Sequence, residues 1–242
     1  MSTRTRHLRV RNLSVEIIRK DIKNLHLGVY PPSGRVRVAA PKKVSDSAVR
    51  LAVISRLRWI RRHQEKFEAQ PRELKREMVS GESHYVFGRR YRLRVVAEGR
   101  LRTALIWKKS ALELHVRPGT TRKQRELVLA RWYRSLLRER IPALLEKWQA
   151  RLEVDAKEWG IRRMKTKWGS CNPVARRIWV NLELAKKPER CLEYLVVHEL
   201  VHLLERGHTD RFVSLMDRHL PRWRQYRSEL NAAPLSHESW TY

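Results

Sequence analysis

One stretch constrains this chain more than any other: Tyr194-Leu-Val-Val-His198-Glu199-Leu-Val-His202-Leu-Leu-Glu-Arg-Gly207-His208. On a helix, two histidines four residues apart lie about 40° from each other and can share one metal ion. Glu199, next to the first, can reach a water in the ion's open position without being a ligand itself. This is the H-E-x-x-H pattern of zinc-dependent peptide hydrolysis, with His198 and His202 as ligands and Glu199 as the catalytic base. Leu192, Leu195, Val196, Leu200 and Leu203 flank the motif at helical spacing, so the helix is expected to be buried. A buried His-Glu-His face without a metal would be costly.

A third ligand needs a separate argument. His208 lies six residues past His202, about 240° round a continuous helix, and cannot reach the same ion from there. Gly207 is expected to adopt φ > 0 at the helix end and turn the chain back, which makes His208 a ligand from the loop. Glu205, Asp217 and Glu229 are the alternatives.

Charge separates the two ends of the chain. Of 54 Lys+Arg and 25 Asp+Glu in 242 residues, residues 1–150 hold 37 and 13, and residues 151–242 hold 17 and 12. The amino-terminal excess of 24 positive charges points to a polyanion, most simply nucleic acid, because each cation at a phosphate releases condensed counterions. No uncharged apolar run approaches the roughly 20 residues that span a bilayer, so no membrane partner is expected. Cys171 and Cys191 are the only cysteines, which excludes a disulfide framework and a cysteine-based zinc finger. The first ten residues lack an apolar signal core. The expected location is the cytoplasm. Oligomeric state is not legible.

Patterning gives an α+β chain. Residues 12–40 read as short strands with a turn at 31–34, and Ser45 or Asp46 can cap a helix running to about Gln70. Residues 84–117 read as four short strands broken at Phe87-Gly88, Glu98-Gly99 and Lys108-Lys109-Ser110. Thr120 or Thr121 then opens a long helix that Pro142 is expected to kink or restart. Residues 161–181 are strand-like, and Pro188 suits the first turn of the motif helix. No repeat is evident. The expected division is a basic β-rich and helical region over 1–160, a catalytic core over 161–230 and a tail over 231–242.

Residues 166–171 and 177–181 form an expected hairpin just before the motif helix. An edge strand there can pair with a substrate backbone, and Gly169 permits close approach. Trp168, Gly169, Ser170 and Asn181 are therefore candidate substrate-binding residues. Asn181 also suits a turn cap or a bond to strand backbone, while Trp168 and Trp179 read more naturally as core. Cys171 reads as a small buried thiol in preference to a fourth ligand or redox switch. Trp59 and Trp132 interleave with arginines, but their apolar periodicity places them mostly inside, whereas base stacking needs exposed rings.

The segment Met164-Lys-Thr-Lys-Trp168-Gly169-Ser170-Cys171, then Ile178-Trp-Val-Asn181, Leu184, Pro188, the H-E-x-x-H-x5-H stretch, His208-Thr-Asp-Arg-Phe212 and Pro221-Arg-Trp223, resembles the YgjP-like metallopeptidases. Weaker similarity runs upstream through Val38-Ala-Ala-Pro41, Trp59-Ile60, Phe87-Gly88 and Trp132-Tyr133, so it covers nearly the whole chain. Val213 departs from a second aromatic often found there. The resemblance implies a zincin-like α+β catalytic domain, Zn2+ held by His198, His202 and His208, and Glu199 as base and proton shuttle. At a further remove the spacing is similar to SprT-type zinc proteases, which act on proteins attached to DNA.

The expected function is hydrolysis of peptide bonds in a protein or peptide substrate by a Glu199-activated, zinc-bound water, with nucleic acid a candidate partner of the basic region. Arg or Tyr is the natural type for a second oxyanion donor, and Glu205 or Asp210 for a carboxylate behind a ligand imidazole. The alternative is a nucleic-acid-binding protein with a structural three-histidine zinc site. Against it, structural sites usually have four protein ligands and no need of a glutamate at position 199.

Overall fold

Alternation builds the first sheet. In the computed structural model, which describes residues 5–30, 34–69, 76–97, 103–164 and 167–232, Val15, Ile17, Val36 and Val38 point to one face and are at most 1% exposed. The described residues divide into two compact units, one within residues 1–73 and the other within residues 74–236. In the first, β1 (Thr5–Val10), β2 (Leu13–Lys20), β3 (His26–Tyr30) and β4 (Arg35–Pro41) form a sheet ordered β1-β2-β4-β3. Two helices follow, α1 (Asp46–Ser55) and α2 (Leu57–Ala69). Val49, Val53 and Ile60 from these helices complete the core. The single helix expected over 46–70 is thus two, divided at Arg56, whose φ of −110° and ψ of 13° end α1.

The second unit repeats that plan. Its strands β5 (Ser83–Val86), β6 (Arg89–Ala97), β7 (Ala104–Trp107) and β8 (Ala111–Val116) are ordered β5-β6-β8-β7. Each sheet has an antiparallel pair, a central parallel pair and a second antiparallel pair, and each leads into a helix capped by a hydroxyl, Ser45 or Thr121. The sequence showed no repeat because the same topology needs only the same alternation, which many side chains satisfy.

The helix after the second sheet is α3 (Arg122–Leu152), unbroken across Pro142. Pro142 removes the donor that would reach the Arg138 carbonyl. Both residues are exposed, so water can serve that carbonyl and the expected restart is not needed. A three-stranded sheet ordered β10-β11-β9 follows, with β9 (Glu158–Arg162), β10 (Gly169–Asn172) and β11 (Arg177–Asn181). Residue 160, the expected boundary of the catalytic core, falls within β9. A 3-10 turn over Leu182–Lys186 leads to α4 (Glu189–Val201), α5 (Asp210–His219) and α6 (Trp223–Ala232). The described residues therefore form a mixed α+β chain of three small sheets and six α-helices. Of the expected tail, 233–242 lie outside the described residues.

The turn between β5 and β6 fixes the entry of α4. Phe87 and Gly88 both have positive φ, 46° and 82°, as a tight hairpin turn requires. Their N–H groups donate to the carbonyls of Ala185 and Lys186. A β-carbon on Gly88 would stand 2.7 Å from Pro188 Cγ, at the N-cap of α4.

Candidate metal centre and active site

α4 is apolar on nearly every side, as a helix through the middle of a core must be. Leu192, Val196, Val197, Leu200 and Val201 are essentially inaccessible, and α4 packs against α3, α5, α6, β10 and β11. Glu199 is carried into that core at 4% exposure. The helix ends at Val201, with His202 as C-cap. A tighter turn follows, in which Leu203 and Leu204 donate to carbonyls three residues back.

The reversal after this helix does not use the left-handed glycine expected at its end. Gly207 is not among the residues of positive φ. The α-helix has already ended five residues earlier, so the reversal is spread over the loop and needs no left-handed glycine.

The loop brings His208 back over α4. Ligand atoms of His198, His202 and His208 lie within 4.8 Å of one another. Phe212, 1% exposed, stands 5.0, 4.8 and 4.7 Å from their three ring centroids and forms an apolar floor. Thr209 caps α5 by accepting from the Phe212 N–H, which holds that floor in place.

The donor set fits a metal ion. His202 Nδ1 lies 3.0 Å from the Glu205 carbonyl oxygen, so its proton is held there and Nε2 is left as a lone-pair donor. His198 Nε2 and His208 Nε2 face each other at 3.1 Å, a separation that asks for a shared proton or a shared cation. Burial pushes the His198 imidazole down to about 3, helped by His202, His208 and Arg227. His208 is pushed down by burial, then by His202 and Arg227. Neutral imidazole is the ligating form, and an all-imidazole set suits zinc. The alternatives to His208 are engaged elsewhere. Asp217 holds Trp223 and Arg224, Glu229 pairs with Arg190 at 2.5 Å, and the Glu205 carboxylate accepts from the Gly207 N–H. Glu205 orients a histidine through its main-chain carbonyl, not its carboxylate.

Burial pushes the Glu199 carboxyl up to about 8, against the pull of Lys167. Gly169 makes room for it: a β-carbon there would stand 2.5 Å from Glu199 Oε1 and 3.0 Å from its Cγ and Cδ. The close approach expected at Gly169 is therefore made by Glu199 itself.

The other hairpin candidates separate by face, because strand side chains alternate. Gly169 packs on Glu199, and the Glu199 charge adds to the burial that pushes the Cys171 thiol up to about 11. Ser170 lies on the opposite face, opposite Trp179. Trp179 in turn covers Gly160, where a β-carbon would meet its ring at 2.3 Å. Cys171 is half-buried, stays protonated at neutral pH and is not part of the histidine cluster. Trp168 packs against the core, with the Lys187 ammonium 5.8 Å from its ring centre. Asn181, 4% exposed, directs its amide inward. Nδ2 donates to the carbonyls of Met164 and Lys167, and Oδ1 accepts from the N–H groups of Met164 and Glu183. It caps the 3-10 turn and holds the chain leading into β10.

Tertiary structure adds two residues that spacing could not find. Tyr194 lies 5.7 Å from the His198 ring and stacks at 6.4 Å on Trp223. Arg227, on α6, rests 5.9 Å from the Trp223 ring centre, and its charge is felt at His198, His208 and Tyr194. It comes from a different helix, 19 residues beyond His208, so no motif points to it.

The model of the YgjP-like metallopeptidase domain matches residues 23–233 of the chain. The chain belongs to this family. Its YgjP-like domain takes in residues of both compact units, and membership implies a peptidase acting on protein. Together with the histidine cluster it suggests a metal ion. No curated protein matches the chain. Among solved structures, the metallopeptidase zymogen of Pyrococcus abyssi abylysin is similar over 37% of this chain and 90% of that one, at 20% identity and a TM-score of 0.35. No described helix of this YgjP-like protein is long and apolar enough to cross a membrane.

Proposed function

We propose that this protein is a zinc-dependent endopeptidase with a zincin-like catalytic core over residues 161–230. In this reading His198, His202 and His208 hold Zn2+ and Glu199 is the catalytic base. The observation that carries it is the convergence of three imidazoles within 4.8 Å beside a buried carboxylate. Once bound, the ion would supply Lewis-acid chemistry, acidifying a water and polarising the scissile carbonyl.

The chain's own groups do the rest. Glu199 accepts the proton of the attacking water and delivers it to the leaving nitrogen. Gly169 keeps that carboxylate in place. β10 is an edge strand, paired only with β11 among the described residues, and its outer N–H and C=O groups suit an extended substrate backbone. Among the candidates Trp168, Gly169, Ser170 and Asn181, Gly169 supports the site directly and Asn181 acts by holding the approach to β10. Arg227 is the candidate second donor to the developing oxyanion. The substrates are proteins, in this reading cytoplasmic ones met on nucleic acid, which the excess positive charge of the amino-terminal region supports.

Glu199→Gln tests the assignment. The expected variant keeps one zinc per chain by metal analysis and an unchanged circular dichroism spectrum, and loses cleavage of an unstructured protein substrate. Equal cleavage by wild type and variant, or a variant that loses its zinc, would overturn the assignment of Glu199 as a base that is not a ligand.

A further inference from the structure

The first unit carries a site that peptide hydrolysis does not use. At the joint of α1 and α2 lies a cleft of about 400 Å3 lined by Ser55, Arg56, Arg58, Trp59 and Arg62. Val49, Val53 and Ile60 turn inward from the same helices, so these side chains occupy the outward face. Trp59 is 40% exposed, contrary to the expectation that its ring would be mostly buried. Helical periodicity puts Ile60 inside and leaves its neighbour out. The ring is braced by His63, whose centroid lies 4.2 Å away and whose Nδ1 meets the Trp59 carbonyl.

The arginines of the cleft have no carboxylate within 4.0 Å among the described residues. Two acids of this unit serve other cations: Asp46 pairs with Arg6 and Arg19, and Glu16 with Arg35 and Arg37. The three exposed guanidinium groups are therefore available to an external anion. A guanidinium fork matches phosphate oxygens in pairs. An indole face stacks on any base that is not already stacked in a duplex. A concave cleft with three arginines among its five lining residues suits a phosphate strand better than a bilayer, where an apolar convex face would be needed.

We propose that the α1–α2 joint binds single-stranded nucleic acid, with Trp59 stacking on a base and Arg56, Arg58 and Arg62 holding the flanking phosphates. This deepens the nucleic-acid part of the function proposed above and is independent of the peptidase chemistry. The shared ligand chemistry is a phosphate chain with unstacked bases, in DNA or RNA.

The test is fluorescence anisotropy of the full chain with labelled oligo(dT) and oligo(rU) 20-mers, a DNA duplex, and vesicles of 30% phosphatidylglycerol in phosphatidylcholine. Wild type is expected to bind a single strand more tightly than the duplex or the vesicles. The two oligomers decide between DNA and RNA, and tighter binding of either supports the proposal. Trp59→Ala is expected to weaken single-strand binding at least about fivefold, and Trp59→Phe to restore part of it. Arg58→Gln with Arg62→Gln should lower the slope of log affinity against log salt by about 0.7 for each charge removed. Trp107→Ala, at an equally exposed ring of the second unit, serves as control. Unchanged affinity in the Trp59 and arginine variants, or preference for duplex or vesicles, would overturn the proposal. Cleavage of a free unstructured protein by the same variants should stay at the wild-type rate. Absence of cleavage in wild type would count against the peptidase reading alone.

Discussion

A single methyl group at Gly169 separates positioning of the proposed base, Glu199, from stability of the fold. Its carbon would stand 2.5 Å from Glu199 Oε1, so the carboxylate must retreat by roughly 1 Å to reach ordinary contact. The retreat happens in a side chain with 4% exposure, where there is little spare room. Overpacking by a methyl costs about 1–3 kcal/mol. Replacing a strand glycine by alanine returns roughly 0.5–1 kcal/mol. Stability should therefore change by about 1 kcal/mol, a Tm shift of a few degrees. Catalysis should suffer far more, because about 1 Å of misplacement costs on the order of 100-fold, or roughly 2.7 kcal/mol of barrier. Gly169→Ala is expected to keep its zinc and its fold while kcat/KM on a fluorogenic peptide falls about 100-fold. A kcat/KM within threefold of wild type, with Glu199→Gln inactive, would refute the reasoning. So would a parallel loss of zinc or of the folded state.

Chelation by 1,10-phenanthroline should abolish cleavage and lower Tm, and one equivalent of zinc should restore both, since a ligand of the native state stabilises by mass action; calorimetry with and without chelator checks it. Phe212→Ala should cost about 3–5 kcal/mol in urea unfolding and weaken zinc in a competition titration, because the floor under all three imidazoles is lost; retained zinc affinity would disprove the floor. His84 is 2% exposed and burial pushes its imidazole down to about 3, with Arg76 and Lys186 adding. Glu82 stands 3.5 Å away, but its oxygens already accept from the N–H groups of Glu77 and Met78, so burial prevails. The folded protein thus keeps His84 neutral while the unfolded chain protonates it. Its contribution is complete above about pH 6.5 and is lost as the pH falls from there toward 3, by about 1.4 kcal/mol per unit; urea unfolding of wild type and His84→Gln between pH 7 and 5 should show a shallower slope in the variant. Finally, burial pushes the Cys171 and Cys191 thiols up to about 11, so iodoacetamide at pH 8 should label the native protein about 100-fold more slowly than the unfolded chain, as mass spectrometry of a time course would reveal.

The motif helix was legible because its pattern is local. The i, i+4 spacing of His198 and His202 and the apolar residues around them follow from helical geometry alone, and Thr121 announced α3 by its own capping chemistry. The hairpin before α4 was legible too, since Asn172-Pro173 marks a turn and alternation marks strands. The repeated sheet topology was not, because alternation specifies a face and leaves strand order open.

What the sequence determined by itself is therefore the chemistry on one helix: two imidazoles and a carboxylate within one turn, inside an apolar setting. What only the tertiary structure decided is everything that approaches that helix from elsewhere. His208 reaches the cluster by a loop without a left-handed glycine. Phe212 supports it from α5, Gly169 seats Glu199 from β10, and Arg227 brings its charge from α6. Residues on one helix are held together by backbone bonds that repeat every few positions. Residues on separate elements meet because burying their apolar faces fixes where those elements pack, and that depends on the whole core.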